Sequence, residues 1–338
     1  MSHDYDALVL VSFGGPERAD DVIPFLENVL RGKNVPRDRM LEVAEHYHEL
    51  GGASPINAQN RALIAALVHE LNTHGPDLAV YWGNRNWHPL LTDTVQQMAD
   101  DGIGRALAFV TSAYSSYSGC RQYLEDIERA REQVGPAAPA IDKLRAFYNH
   151  PGFIEPIVEG VQMAIRELPE QRRPGAELLM AAHSIPVAMS QSCQYVRQLQ
   201  EVGRLVAEGV GVERWRLVYQ SRSGPPAQPW LEPDICDVLR ELGDRATDVV
   251  VVPIGFVSDH MEVVYDLDTE AAEVCAQVGL NMVRAATVGT HPRFTRMIRE
   301  LIEERLSEDP ARLALGTHGP SHDVCPADCC RYVPQRPS

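Results

Sequence analysis

Three carboxylates, Glu262, Asp266 and Glu270, fall four residues apart just beyond a valine run at 249–252. On an α-helix that spacing stacks them along one face. A Pro253-Ile254-Gly255 turn and a polar edge, Ser258-Asp259-His260, separate the valines from the acids. A row of acids past the carboxyl end of a strand suits a divalent cation or a proton relay, although a solvated helix face shows the same spacing. A histidine shifts the balance. His183 closes its own apolar run, 178–182, and Pro186 re-aims the chain just after it. An imidazole facing carboxylates accepts protons near neutral pH, because the acids hold its pKa up. The same pair can ligate a divalent metal.

Other strand ends also carry reactive types. Ser12-Phe13-Gly14-Gly15-Pro16 lets a ligand approach backbone closely but is not a GxGxxG fingerprint. The stretch 82–89 holds Trp82, Trp87 and His88, aromatic walls for a flat ligand or plain domain packing. The stretch 111–123, TSAYSSYSGCRQY, offers hydroxyls to a carboxylate-bearing ligand or to its own helix cap. The stretch 220–233 is proline-rich and holds Trp230 in a rigid turn. Cys325, Cys329 and Cys330 crowd the end of the chain. Adjacent cysteines suit an iron–sulfur cluster better than one structural zinc, and a cluster takes four ligands. Cys120, in the hydroxyl-rich loop, is the choice for the fourth; zinc with His318 or His322 is the competitor.

The elements that must position these residues alternate. Strand-like runs at 7–11, 78–82, 106–111, 178–183, 216–220 and 248–253 are separated by amphipathic helical patterns such as 57–72, 153–168 and 193–208. Such alternation predicts an α/β fold of two doubly wound parallel sheets, with ligands beyond the strands' carboxyl ends and a cleft between two domains. The boundary falls at the Gly135–Pro139 stretch: residues 1–140 form the first domain, 141–304 the second with His183 and Glu262, and 305–338 pack back on the first. At 338 residues the length suits two domains. The net charge of −16 argues against nucleic acid or anionic lipid as main partner. No stretch approaches the about 20 apolar residues of a membrane span, and the start shows no basic export region, so the chain reads as cytoplasmic, with thiols free for metal.

Dispersed blocks then match a family in order: Arg31-Gly32, Gly51-Gly52-Ala53-Ser54-Pro55, His183-Ser184-Ile185-Pro186, Gln220-Ser221, Pro229-Trp230-Leu231, and Pro253 through His260 to Asp266. The chain resembles the ferrochelatases, more narrowly the coproporphyrin ferrochelatases of actinobacterial type. The resemblance implies the chelatase fold, with two Rossmann-like domains and a porphyrin in the cleft between them. It implies insertion of Fe²⁺, as substrate, into coproporphyrin III to give coproheme in heme biosynthesis, with no nucleotide. His183 matches the residue that takes pyrrole protons or ligates iron, Glu262 the facing acid, and Asp266 and Glu270 a path for metal or protons. Phe13, Arg31, Tyr47, Ser54 and Tyr123 match porphyrin-binding positions. Phe13 stands where several relatives have a tyrosine that ligates the product's iron, and His46 where some have arginine. Cys120, Cys325, Cys329 and Cys330 match a 2Fe–2S set, structural or sensory. The implied partners are porphyrin, ferrous iron and a downstream enzyme accepting coproheme; the protein reads as a monomer. The alternatives are a protoporphyrin IX ferrochelatase, a cobalt chelatase and a non-catalytic tetrapyrrole-binding protein. A nucleotide-dependent oxidoreductase is disfavoured by the missing glycine fingerprint.

Overall fold

A computed structural model describes residues 5–33, 35–225, 227–243 and 245–332. Two four-stranded parallel sheets form, each with helices on both faces. The first contains β1 (Ala7–Ser12), β2 (Ala79–Asn84), β3 (Arg105–Val110) and β4 (Ala140–Lys143), in the order β2-β1-β3-β4. The second contains β5 (Glu177–His183), β6 (Trp215–Gln220), β7 (Asp248–Val252) and β8 (Asn281–Arg284), in the order β6-β5-β7-β8. One order becomes the other when each strand is moved four places along the chain. The central strands explain why these sequences form sheets. Ala7–Val11 and Val249–Val251 are fully buried, as strands sandwiched between helix layers must be. Each such valine or leucine contributes about 1.5–3 kcal/mol by leaving water.

In both sheets the chain steps to one side of the founding strand and then crosses to the other. The switch points therefore lie between β1 and β3 and between β5 and β7. Their carboxyl ends are Ser12-Phe13 and Thr111 in the first sheet, and His183 and the Pro253 turn in the second. These ends face one cleft, and bonds cross beside it: Tyr114 Oη donates to Ile254 O at 2.7 Å, and Asp259 N donates to Gln59 Oε1 at 2.8 Å.

β4 and β8 lie outside the strand-like runs of the sequence. β4 pairs with β3, from Arg105↔Ala140 to Ala108↔Lys143. The Gly135–Pro139 stretch is thus a loop within the first sheet, and that sheet runs past the boundary expected at residue 140. The crossover to the second half is 144–150, ending where the His150 side chain caps the helix Pro151–Glu167. β8 adds the matching edge strand. The helix Pro292–Leu306 packs on both Pro151–Glu167 and Ile56–His74, so it joins the halves. The following tail does the same. The Arg145 guanidinium holds Glu304 with two bonds at 2.7 and 2.8 Å and donates to Leu313 O. Thr317 N donates to Glu201, and Arg121 to Ala327 O, so the tail touches second-half and first-half elements alike.

Candidate active site

His183 and Glu262 meet across the β5–β7 switch point, with His183 Nε2 3.6 Å from Glu262 Oε2. A glycine makes the approach possible. Gly255 packs so close to β5 that a Cβ there would lie 2.8 Å from Ala182 Cα, and its N–H donates to Ala181 O. The turn after β7 is thereby pinned against the strand that ends in His183. The His183 ring is fixed by its other nitrogen: Nδ1 hydrogen-bonds the Ser184 carbonyl. A carbonyl only accepts, so Nδ1 carries the hydrogen and Nε2 faces Glu262.

The electrostatics follow from this geometry. Burial opposes a charge on His183, but the Glu262 carboxylate, its hydrogen bond and the Ser184 carbonyl hold the imidazole pKa above its ordinary value. Desolvation opposes the charge on Glu262 as well; His183 and then His260 and Lys33 overcome it and hold the carboxyl at about 2. Glu262 therefore stays ionised while half its side chain remains open to the cleft. His260 lies on its other side, Nδ1 at 4.0 Å, with its pKa pushed down mainly by burial. In the sequence His260 stands as one residue of a polar edge, with nothing to mark it as a second imidazole facing Glu262.

Asp266 and Glu270 lie on a π-helical stretch, Val264–Ala271, and not on the α-helix that the four-residue spacing predicts. The wider turn still keeps Asp266 beside Glu262, and π turns recur at functional sites. Ser221 Oγ donates to Asp266 Oδ2, as does Gln220 Nε2 at 3.4 Å; Gln220 also donates to Glu262 O at 3.0 Å. Ser221 reaches Asp266 from left-handed backbone (φ 60), a conformation non-glycine residues seldom take. Burial, and then repulsion from Glu262 and Glu270, outweigh the Ser221 bond and raise the Asp266 carboxyl to about 7. Glu270 is exposed at the outer end, its pKa raised by desolvation.

On the opposite wall, Phe13 and Arg31 face open space, with Phe13 edge-on to Phe25 at 6.3 Å. Tyr47 is buried in a cluster with Phe25 and Met261. Ser54 is buried against Gly15, where a Cβ would come within 2.8 Å. Tyr123 sits in the first-sheet core under the Arg85 guanidinium, 3.7 Å from its ring centre. His46 stacks on Tyr265 across the cleft at 3.9 Å. The hydroxyl-rich loop turns its groups inward: Tyr114 bonds Ile254, Ser115 bonds Gln198, Thr111 bonds Ser12, and Ser116 caps the next turn.

A second cluster forms at that next turn. Tyr117–Arg121 is also π-helical and carries Cys120, buried. The tail brings Cys325 near enough to Cys120 to perturb its thiol. Cys329 and Cys330 Sγ stand 3.6 Å apart. His322, Cys325 and Cys329 present ligand atoms all within 4.8 Å of one another. The Cys325 thiol, against desolvation and aided by Lys143 and His322, lowers the Cys120 thiol to about 5, and its own pKa is raised. His318 is engaged elsewhere, by Tyr148 Oη and Arg197 Nε.

Comparison with known proteins follows the same lines. The ferrochelatase family model matches residues 5–306. A protein of Rhodopirellula baltica named ferrochelatase is 56% identical over 98% of this chain and 95% of its own length. The coproporphyrin III ferrochelatase of Streptomyces coelicolor is 52% identical over 99% and 95%, and that of Frankia alni 55% over 98% and 88%. Among solved structures, the sirohydrochlorin chelatase SirB of Bacillus subtilis subspecies spizizenii superposes with a TM-score of 0.51 at 13% identity, covering 89% of this chain and 97% of its own. CbiX, from siroheme biosynthesis in denitrifying bacteria, gives 0.52 at 16%, covering 89% and 100%. At those identities the likeness is one of fold.

Proposed function

We infer the reaction from one premise: the chain belongs to the ferrochelatase family. It is a metal chelatase that inserts ferrous iron into a porphyrin, exchanging two pyrrole protons for one Fe²⁺. We propose coproporphyrin III as the porphyrin, the substrate named for the Streptomyces and Frankia relatives. No described helix is long and apolar enough to cross a membrane, which suits a substrate with four carboxylates. A cytoplasmic monomer that hands coproheme to a downstream enzyme completes this reading.

In the proposed mechanism His183 takes the pyrrole protons. Its Nδ1 hydrogen is committed to Ser184, so Nε2 is the basic atom, and ionised Glu262 stabilises the imidazolium that forms. Asp266 is next in line. With its pKa near 7 it accepts and releases protons at neutral pH, and Glu270 leads to solvent. The observation that carries this reading is the raised Asp266 beside the His183–Glu262 pair. A path for metal would be better served by a carboxylate ionised throughout the neutral range, so protons outward is the direction we assign. Phe13, Arg31, Tyr47 and Ser54 would line the porphyrin, with Tyr123 supporting the wall through Arg85. Phe13 has no atom to ligate iron, so the product's axial ligand comes from elsewhere.

The thiol cluster fits a 2Fe–2S centre held by Cys120, Cys325, Cys329 and Cys330. The donors are soft, Cys120 is biased toward thiolate, and Lys143 supplies a compensating cation. Bound there, the group would act as a redox-sensitive cross-link between tail and first half, since iron insertion moves no electrons. A second reading is zinc on Cys325, Cys329 and His322, favoured by the His322 ring 3.9 Å from Cys329 Sγ. Iron, zinc and acid-labile sulfide analysis of anaerobically prepared protein separates the two: equal iron and sulfide supports the cluster, zinc without sulfide replaces it. The substrate is tested by absorbance-monitored Fe²⁺ insertion into coproporphyrin III and protoporphyrin IX. A clear preference for coproporphyrin is expected; equal or reversed rates overturn the assignment.

A further inference from the structure

The segment that carries Glu262 and Asp266 is strung across the carboxyl edge of the second sheet and tied at both outer strands. The sheet order is β6-β5-β7-β8. On one side Gln220, the last residue of β6, and the adjoining Ser221 hold Asp266. On the other side β8 ends in Arg284. Its guanidinium donates to Asp268 through Nε and, at 2.9 Å, through Nη2. It donates to Asp259 through Nη1 and Nη2 at 3.2 and 3.3 Å. Two residues along a helix point to roughly opposite sides, so Asp266 and Asp268 give the stretch Val264–Ala271 a tether in each direction. His183, at the end of β5, lies between the two ties.

Asp259 secures the near end of the segment. Thr287 Oγ1 donates to its carboxylate at 3.1 Å, and its N–H donates to Gln59 Oε1, on the helix Ile56–His74 of the first half, at 2.8 Å. Gly289 N donates to Val257 O at 2.9 Å, so the chain beyond β8 braces the same loop. Arg284 therefore grips the segment on both sides of Glu262, at Asp259 before it and at Asp268 after it. Exposed ion pairs contribute little. This one is largely covered: the Arg284 side chain is 16% exposed, and its planar fork fixes direction as well as distance. Desolvation opposes the guanidinium charge, but Asp268 and Asp259 hold its pKa above the ordinary value. The pair it would steady has little slack, with His183 Nε2 and Glu262 Oε2 3.6 Å apart. A misplacement of about 1 Å in such a group costs up to about 10²-fold in rate.

We propose that Arg284 is a positioning residue for iron insertion: by clamping Asp259 and Asp268 it sets Glu262 opposite His183 and Asp266 beside Glu262. It acts through those carboxylates and not on the porphyrin. This role rests on the proton path from His183 through Glu262 to Asp266. Lysine at this position would keep the charge but has no fork to span two carboxylates.

The test is steady-state Fe²⁺ insertion into coproporphyrin III by the full chain, with rates expressed per porphyrin-binding site counted by fluorescence titration. Arg284→Gln is expected to bind the porphyrin as the unaltered chain does, to keep its KM, and to lose about 10–10²-fold in kcat. Arg284→Lys recovers part of that loss. Asp268→Asn, which leaves Arg284 paired with Asp259, gives a smaller loss in the same direction. In a Glu262→Gln background the Arg284→Gln change costs less than about twofold, because the group it positions is already gone. An unchanged kcat per site in Arg284→Gln overturns the proposal, and so do losses that multiply in the Glu262→Gln background, which would mark a merely structural role. If Arg284→Gln does not fold, Asp268→Asn decides, and an unchanged kcat there overturns the proposal. Insertion by the unaltered chain and its loss in His183→Ala report separately on the proton path itself.

Discussion

Two π-helical stretches occupy corresponding places in the two halves. Tyr117–Arg121 lies between β3 and the helix Gln122–Val134, and Val264–Ala271 between β7 and the helix Ala272–Val278. Each follows the strand that forms a switch point with its sheet's founding strand. The side chains they display differ. The second presents Asp266 and Glu270 toward His183 and Glu262; the first presents Cys120 toward the thiols of the tail. Burial raises the Asp266 carboxyl to about 7, where it can relay protons, whereas Cys325 and Lys143 bring the Cys120 thiol down to about 5, where it can hold metal. On the proposed reading, the same backbone device serves proton chemistry in one half and soft-metal chemistry in the other. What decides is the partner brought opposite: an imidazole from β5, or a tail that arrives from residue 307 onward.

If that division is right, substitutions on the two sides have separable effects. His183→Ala removes the proton acceptor and lowers the insertion rate by about 10²–10⁴-fold, read by absorbance, while porphyrin affinity changes little. Glu262→Gln lowers the rate less and moves the acid limb of the pH–rate profile to lower pH. Glu262 is what holds the His183 pKa up, and burial alone pushes it down. A profile that keeps its position would separate the pair. Cys120→Ser acts on the other side: the chain loses its bound metal and its visible absorbance and melts at lower temperature. Its insertion rate falls far less than in His183→Ala.

Smaller effects sharpen the comparison. An acid whose folded pKa is raised contributes stability at low pH and loses it as pH rises through the folded value. The Asp266 contribution, present below about 3.8, therefore fades as pH approaches and passes about 7. Asp266→Asn removes it, so between pH 4 and 7 the variant gains stability relative to the unaltered chain, measured by denaturant unfolding across that range. Ser221→Ala deletes a bond that holds the Asp266 pKa down, so that pKa rises further. Insertion at pH 7 then falls a few-fold and recovers at higher pH.

The valine and leucine runs made six strands legible, because a parallel strand covered on both faces must be apolar at nearly every position. β4 and β8 are four-residue edge strands, Ala-Ile-Asp-Lys and Asn-Met-Val-Arg, half covered and carrying charge, and they read as loop. His183 and the acidic row stood out because strand ends and i, i+4 spacing are visible in one dimension. Their winding was not, since a π turn leaves no residue signature. The support given by Gln220 and Ser221 depends on one left-handed residue. The open space beside Phe13 gathers residues 31, 33, 85 and 129, a convergence that only the fold produces.

The central claim is that the imidazole at the end of β5, and not the binding of the macrocycle, limits metal insertion. It is tested most directly by measuring coproporphyrin III affinity and Fe²⁺ insertion on the same samples of the unaltered chain and His183→Ala. Similar affinities are expected, with insertion confined to the unaltered chain. A His183→Ala chain that inserts iron at the unaltered rate would contradict it.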